Sequence, residues 1–421
     1  MVKLFYKRFM NQKHVYREVE GNRLFKKAEI PTAEIVWFGP VVDCRAQAVI
    51  LDYIYPSENL GTILQAAGDT VKCRAYLEKL MVLLARLHGA GLRHNDLHLD
   101  NFLVKHDDLY ALDGAAIEEI FQDAPLKKND SLKNLAVIFA QLGLRDRKLY
   151  QDLVACYCAA RNFKDMNQLP KILEEQIRVR QKVRISRYLK KIYRESTETV
   201  CRKTFFEYTL CKRVHYTPAM EDFLKDPDVA FDVPGTLLLN SGNSTSVVRF
   251  KVDDQDIVVK RYNVKNFVHG LRLAFKKSRG NRSWFWAHLL LEYGIRTPRP
   301  IAMKEIRWGP FRNRAYLICE YIEGMSAEDY FKGVLSKDKK ETSQNILHLF
   351  DRLADLRVSH GDMKASNIMI HDGRALLIDF DSMAVQKNKI RFVRARRKDI
   401  KQFKKNWTNL PEIAHLFGSL V

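Results

Sequence analysis

One short pattern occurs twice in this chain and constrains its fold more than any other feature. His94-Asn95-Asp96 is followed five residues later by Asn101, and His360-Gly361-Asp362 is followed at the same spacing by Asn367. Each asparagine opens an apolar run, Phe102-Leu103-Val104 or Ile368-Met369-Ile370. Each run leads to a second one that ends in an acid: Leu109-Tyr110-Ala111-Leu112-Asp113-Gly114, and Ala375-Leu376-Leu377-Ile378-Asp379-Phe380-Asp381. Asp96 and Asp362 stand 266 residues apart, as do Asp113 and Asp379, so the 421 residues read as two copies of one domain. Each copy is long enough to bury its own core.

The spacing suits in-line phosphoryl transfer, which asks for positioning and charge neutralisation rather than covalent chemistry. In that reading Asp96 and Asp362 orient an acceptor hydroxyl. Asn101 and Asp113, and likewise Asn367 and Asp379, hold Mg²⁺ against the nucleotide phosphates, which requires a turn and a strand end beneath the nucleotide. Two residues after the aspartate stands His98 in the first copy and Lys364 in the second. Lys364 supplies a cation for the transferring phosphate; His98 reads either as part of the site or as a buried structural histidine.

Upstream of the second catalytic loop the order is that of a two-lobed kinase. Strands are expected over 236–240 and 246–251, around a small-residue turn whose Gly242, Asn243 and Ser244 can bring backbone N–H groups close to phosphates. A third strand, Asp256 to Lys260, ends in the lysine expected on the α- and β-phosphates. A helix around Trp284–Tyr293, a hinge strand over Ala315–Gly324 and a helix over Ser343–Val358 complete the order. In the first copy, Val2-Lys3-Leu4-Phe5-Tyr6 matches Val259-Lys260-Arg261-Tyr262, which makes Lys3 the phosphate lysine and leaves no sequence for two strands and a phosphate loop. Glu20, on a helix over Tyr16–Lys27, is the candidate partner of Lys3. Phe285 or Trp286 stands at the matching place in the second copy, with no acid nearby for Lys260. The expected fold is α+β: two tandem protein-kinase-like domains, each with a small β-rich N-lobe and a helical C-lobe, the first N-lobe incomplete. Their bounds are 1–197 and 233–421, with a linker and leader segment over 198–232.

The formal net charge is +21, which favours an anionic partner. Three clusters carry the excess: Arg178 to Arg194; Lys265, Arg272, Lys276, Lys277, Arg279 and Arg282; and Arg391 to Lys405. Near an anionic leaflet each basic residue is worth roughly 1 kcal/mol. Nucleic acid ranks second and is not taken as a partner, because no nucleic-acid-reading motif accompanies the charge. The seven cysteines form neither a disulfide framework nor a zinc pattern, which points to a reducing cytoplasm. The N-terminus is too charged for a secretory leader, and no apolar run is long enough to span a bilayer.

These residues resemble the bacterial lipopolysaccharide core kinases, the Kdo/heptose kinase family of the protein-kinase-like fold. The second copy carries the resemblance in Val259-Lys260-Arg261-Tyr262-Asn263, in Leu289 through Pro300, in His360 through Asn367 and in Ile378-Asp379-Phe380-Asp381, from about Phe205 to the end. The first copy carries it in Asn95 through Val104 and Tyr110 through Gly114, from the first residue to about Arg194. The resemblance implies ATP and Mg²⁺ as cofactors and a Kdo or heptose hydroxyl of the lipopolysaccharide core oligosaccharide–lipid A as acceptor. It also implies a peripheral place at the cytoplasmic face of the inner membrane. Two other readings stay open: a non-catalytic scaffold for envelope assembly, suggested by the incomplete set in each copy, and a protein kinase, suggested by Lys364.

Overall fold

The apolar runs that flank each lysine form antiparallel sheets, and the 3.6-residue periodicity between them forms helices packed against those sheets. The computed structural model describes residues 1–6, 12–42, 46–67, 71–142, 147–163, 168–233, 237–242, 245–263, 277–309, 311–333 and 337–420. The chain divides into two units, Met1–Arg184 and Ile185–Val421.

In the first unit β1 (Val2–Tyr6), β2 (Ile35–Pro40) and β3 (Ala46–Leu51) form a sheet of order β1-β3-β2. Lys3 lies opposite Val49. Helix α1 (Gln12–Lys27) turns Val15, Glu18, Gly21, Asn22 and Phe25 inward, the i, i+3, i+4 stripe of a half-buried helix. At Gly21 this helix touches another backbone: a Cβ there would sit 1.7 Å from the carbonyl oxygen of Gly114. The C-lobe follows with β4 (Glu58–Asn59), α2 (Leu60–Ala67) and α3 (Val71–Gly89), whose Leu80, Met81 and Leu84 are fully buried. Strand β5 (Leu92–His94) pairs with β8 (Ile117–Glu119), and β6 (Phe102–Lys105) forms a hairpin with β7 (Asp108–Ala111). Helices α4 (Lys128–Leu142), α5 (Arg147–Ala160) and α6 (Leu169–Lys191) follow; α6 passes from the first unit into the second at Arg184.

The second unit opens differently from expectation. Residues 198–232, read as linker and leader, form β9 (Thr199–Lys203), β10 (Glu207–Lys212), α7 (Pro218–Phe223) and α8 (Val229–Asp232). Strand β10 buries Thr209, Leu210 and Cys211 and pairs with β14 (Pro300–Trp308), so the sheet has order β11-β12-β13-β15-β14-β10-β9. Its other strands are β11 (Leu237–Gly242), β12 (Thr245–Val252), β13 (Gln255–Tyr262) and β15 (Phe311–Glu320). Met220, Phe223, Leu224 and Ala230 pack into a core with Val248, Ile257, Val259 and Ile318, and this burial makes the segment part of the lobe. Helix α9 (Arg279–Glu292) starts at a Ser278 cap, whose hydroxyl accepts from the Asn281 N–H.

The second C-lobe repeats the first. It runs through β16 (Met325–Ser326), α10 (Ala327–Gly333), α11 (Lys337–Asp355), β17 (Val358–Ser359), the hairpin β18 (Ile368–His371)–β19 (Arg374–Leu377), β20 (Ala384–Val385), α12 (Lys389–Lys405) and α13 (Pro411–Leu416). Trp407, Phe403, Phe417 and Phe331 fill its base and are fully buried.

A buried histidine gives the first unit a defined acid response. His88 Nε2 lies 3.1 Å from Asn134 Oδ1 and its Nδ1 lies 2.6 Å from the Tyr157 hydroxyl, so the neutral ring uses both nitrogens. Burial pushes its pKa down to about 4. The unfolded chain takes up this proton near pH 6.5, whereas the folded unit does so only near 4. Stability is therefore fully present above 6.5 and falls by up to about 3 kcal/mol as the pH drops from 6.5 to 4. Denaturant unfolding across this window, followed by hydrogen exchange in α3 and α4, checks this. The His88→Gln variant is expected to lose that part of the slope.

Candidate active sites

Both catalytic loops are built on the same backbone scaffold. His94 and His360 are fully buried, with Nε2 3.4 Å from Leu112 O and 3.3 Å from Ile378 O, and burial lowers the pKa of each. Each loop is also held by a helix that follows it. In the second unit Asp399 of α12 accepts the backbone N–H groups of His360 and Gly361 at 2.8 and 2.9 Å. In the first, Asn134 of α4 occupies the equivalent place, donating to His94 O at 2.9 Å and accepting from His94 N at 3.4 Å.

The two asparagines point the same atom at the site. Asn101 Nδ2 donates to Asp96 O at 2.7 Å, and Asn367 Nδ2 donates to Asp362 O at 2.8 Å. The amide nitrogen is thereby committed to the loop, which leaves Oδ1 to meet a cation. Asp113 and Asp379 both adopt φ of 62°, the left-handed conformation, where each hairpin ends. Oxygen donors of this kind suit Mg²⁺. Among the described residues no cluster of three or more His, Cys, Asp or Glu side chains could hold a metal by itself. A magnesium ion here needs phosphate and water oxygens to complete its shell.

In the second unit Asp362 accepts from Lys364 Nζ at 3.0 Å and from Gln402 Nε2 at 2.5 Å. Burial alone would raise its pKa, but these hydrogen bonds and the Lys364 charge outweigh burial and hold it below the ordinary aspartate value. Asp96 is more open: its side chain is exposed, and so is that of His98, which rules out the buried structural role for that histidine.

The lysines differ most between the copies. Lys3 Nζ sits 2.7 Å from Glu18 Oε1 and 3.6 Å from Asp113 Oδ1, and Glu18 Oε2 also accepts the backbone N–H of Ala115 at 3.2 Å. Glu18 therefore replaces the expected Glu20, whose exposed side chain lies 3.9 Å from Arg23. Two residues along a helix rotate a side chain by about 200°, so Glu20 faces away from the sheet. The i, i+3 relation of Val15 to Glu18 was the available signal.

Aligning Ile30 with Ile295 places Ser283 opposite Glu18. Ser283 is buried and hydrogen-bonds the Tyr262 hydroxyl at 2.9 Å. Lys260 instead bonds Asp379 Oδ1 at 2.6 Å, and Arg279 Nε, at the first turn of α9, bonds Asp381 Oδ2 at 2.5 Å. The expectation that no acid serves Lys260 is corrected by Asp379 and by Asp381, the acid that stands where a D-F-G motif has glycine. Burial works against the Lys260 ammonium, but Tyr262, Asp379 and Asp381 together hold its pKa above the ordinary value. Burial raises Asp379, and the neighbouring Asp381 adds to the rise. Burial also opposes ionisation of Asp381, yet its hydrogen bond with Asp379 and the charges of Lys260 and Arg279 hold its pKa well below the carboxylate range.

Arg279 thus leaves the surface cluster to which its charge had assigned it, and Lys277 lies over the Tyr193 ring at 4.8 Å. Lys265, Arg272 and Lys276 fall outside the described residues. Gly242 ends β11 opposite Thr245, next to the strand that flanks Lys260, while Asn243 and Ser244 of the expected phosphate turn also fall outside the described residues.

A sequence model described as the lipopolysaccharide kinase (Kdo/WaaP) family matches residues 2–123 and 238–414. No curated protein matches the chain. The matched segments contain both lysines, both Asp–Asn loops and the hairpin-end acids Asp113 and Asp379, and they leave out all of 198–232.

Replacing Glu18 leaves a half-buried ammonium and a backbone N–H without their partner. Glu18→Ala is expected to destabilise the first unit by about 1–3 kcal/mol, while Glu20→Ala changes stability by less than about 0.5 kcal/mol. Denaturant unfolding of the two variants side by side checks the assignment.

Proposed function

The chain belongs to the lipopolysaccharide kinase (Kdo/WaaP) family, and from that membership we propose that its second unit transfers the γ-phosphoryl group of ATP to a hydroxyl of Kdo or heptose in the lipopolysaccharide inner core. Kinase chemistry and the lipopolysaccharide substrate follow from the family. The sugar, the acting unit and the membrane face are the proposal. The observation that carries it is the ionised Asp362, held at 3.0 Å by Lys364 and at 2.5 Å by Gln402.

Asp362 orients the acceptor hydroxyl and receives its proton as the oxygen attacks phosphorus. Lys364, on the same turn, meets the charge that grows on the transferring phosphoryl oxygens. Asn367 Oδ1 and Asp379 are the atoms that would hold magnesium. A bound magnesium would neutralise the charge on the phosphate oxygens. Lys260 engages the α- and β-phosphates from β13, and Asp381 with Arg279 keeps the lysine and helix α9 in place. Gly242, Asn243 and Ser244 are proposed as the phosphate cover.

The basic surface supports work against an anionic leaflet at the cytoplasmic face of the inner membrane. Arg178, Arg180, Lys182, Arg184, Arg187, Lys190 and Lys191 of α6 are all exposed. Attraction of roughly 1 kcal/mol per basic residue near such a surface is enough for peripheral binding. Among the described residues no helix is long and apolar enough to cross a membrane.

One observation favours a second reading for the first unit, as a binding module. It retains Lys3, Glu18, Asp96, Asn101 and Asp113, but its Asp96 is exposed and, among the described residues, is not held by a lysine and a glutamine as Asp362 is.

With Mg-ATP and deacylated lipopolysaccharide, the purified chain is expected to transfer phosphate. Asp362→Asn should reduce kcat at least about 100-fold, and Asp96→Asn should leave most of it. Thermal stabilisation by Mg-ATP that disappears in Asp379→Ala separates the kinase from a pure scaffold. No transfer and no nucleotide shift would contradict the proposal.

A further inference from the structure

The second unit carries a charged surface that the phosphoryl-transfer machinery does not use. Helix α12 touches the catalytic loop twice, through Asp399 on the His360 and Gly361 amides and through Gln402 on Asp362. Arg391, Ala395, Lys398, Gln402 and Lys405 follow one another at i, i+4, i+7, i+11 and i+14, a single stripe along the helix. Lys398 and Lys405 are therefore the same-face neighbours of the residue that holds the catalytic carboxylate. Arg394 and Lys401 form the next row outward.

All five basic residues of these two rows are exposed, and among the described residues none lies within ion-pair distance of a carboxylate. Two basic residues on other faces of the helix are engaged: Arg396 lies 3.8 Å from Asp351, and Lys404 donates to Leu420 O at 2.7 Å. Like charges at i, i+3 and i, i+4 destabilise an isolated helix by a few tenths of a kcal/mol per pair, so the open row is a local conflict without an internal remedy. No long segment covers it, since only Ser382–Asn388 separate Asp381 from the helix, and part of that stretch pairs with β17 as β20.

The first unit supplies the comparison. With Asn134 in the place of Asp399, the residues matching Arg391, Arg394, Lys398, Lys401 and Lys405 are Leu126, Asn129, Lys133, Ala136 and Ala140. Leu126, Ala136 and Ala140 are buried, and the lone Lys133 lies 3.4 Å from Asp130. The fold thus permits this face to be apolar and covered. In the second unit it is cationic, open and beside Asp362.

We propose that the α12 stripe Arg391, Arg394, Lys398, Lys401 and Lys405 binds phosphate groups that the acceptor already carries, fixing the sugar so that one hydroxyl reaches Asp362. This inference rests on the kinase reading of the second unit. It adds that the acceptor must already carry phosphate before this transfer, so the reaction that supplies it must install or retain a phosphate near the target hydroxyl.

The test uses the full chain, wild type and Lys398→Glu/Lys405→Glu, with deacylated lipopolysaccharide core bearing its phosphates and with the same core after phosphatase treatment. The reversal is expected to raise KM for the phosphate-bearing core at least tenfold, to change kcat less than threefold and to weaken the salt dependence of KM. It should also abolish the preference over the dephosphorylated core. Lys398→Arg/Lys405→Arg should behave as wild type, and an unchanged Mg-ATP thermal shift verifies that the reversed variant is folded. Equal KM changes for both cores, or none, would overturn the inference. So would a variant that loses only sedimentation with phosphatidylglycerol vesicles, since the stripe would then read the bilayer. Calorimetric binding of the phosphate-bearing core without nucleotide separates the two claims: binding that depends on the stripe supports this inference even if no transfer is observed, and wild-type binding indifferent to the reversal overturns it even if transfer is observed.

Discussion

Each unit depends on a strand lysine held against the acid at the end of the hairpin that follows its catalytic loop. Lys260 reaches Asp379 at 2.6 Å, and Lys3 reaches Asp113 at 3.6 Å. The lysine belongs to the N-lobe sheet and the acid to the C-lobe, so this contact ties the two lobes of each unit together. The acid is presented by a left-handed residue with φ of 62° in both copies. Asparagine and catalytic aspartate are then placed by one loop, whose amide nitrogen bond leaves a carbonyl oxygen for a cation. The histidine beneath that loop remains neutral because it is buried.

The copies solve the same problem with opposite charges. In the first, the helix carries the acid and the loop after Asp113 supplies a backbone N–H, joined through Glu18 to Ala115. The contact is close because Gly21 and Gly114 bring two backbones together. In the second, the helix carries the base and the loop carries the acid, joined through Arg279 and Asp381. Trp286 and Phe380 stand in the places of those glycines and belong to the apolar core. In the second copy the acid thus sits not on the helix but at Asp381, two residues after Asp379.

The sequence made the repeat, the paired lobes, the two lysines and the six loop and hairpin acids and amides legible, because each lies in a short pattern with fixed local geometry. Glu18 was missed for a reason of phase. The alignment through Ile30 and Ile295 is sound, but Glu20 lies two positions beyond the inward face, and only the burial stripe of α1 reveals this. Asp381 stands where a D-F-G motif has glycine, while its partner Arg279 belongs to a basic cluster that reads as surface charge; the two are 102 residues apart, and nothing local links them. Strands β9 and β10 fall in the stretch 198–232 expected to be linker and leader. Their role comes from pairing with β14, a contact that sequence periodicity does not encode.

We propose that Asp381 and Arg279 act as one unit that keeps Lys260 and α9 in register for nucleotide. A double-mutant cycle of Arg279→Ala and Asp381→Ala, read as Mg-ATP affinity by calorimetry, tests this. Each single variant is expected to weaken binding and the double variant to be far from additive, with a coupling of at least about 1 kcal/mol. Additive losses, or single variants that bind Mg-ATP as wild type does, would contradict it.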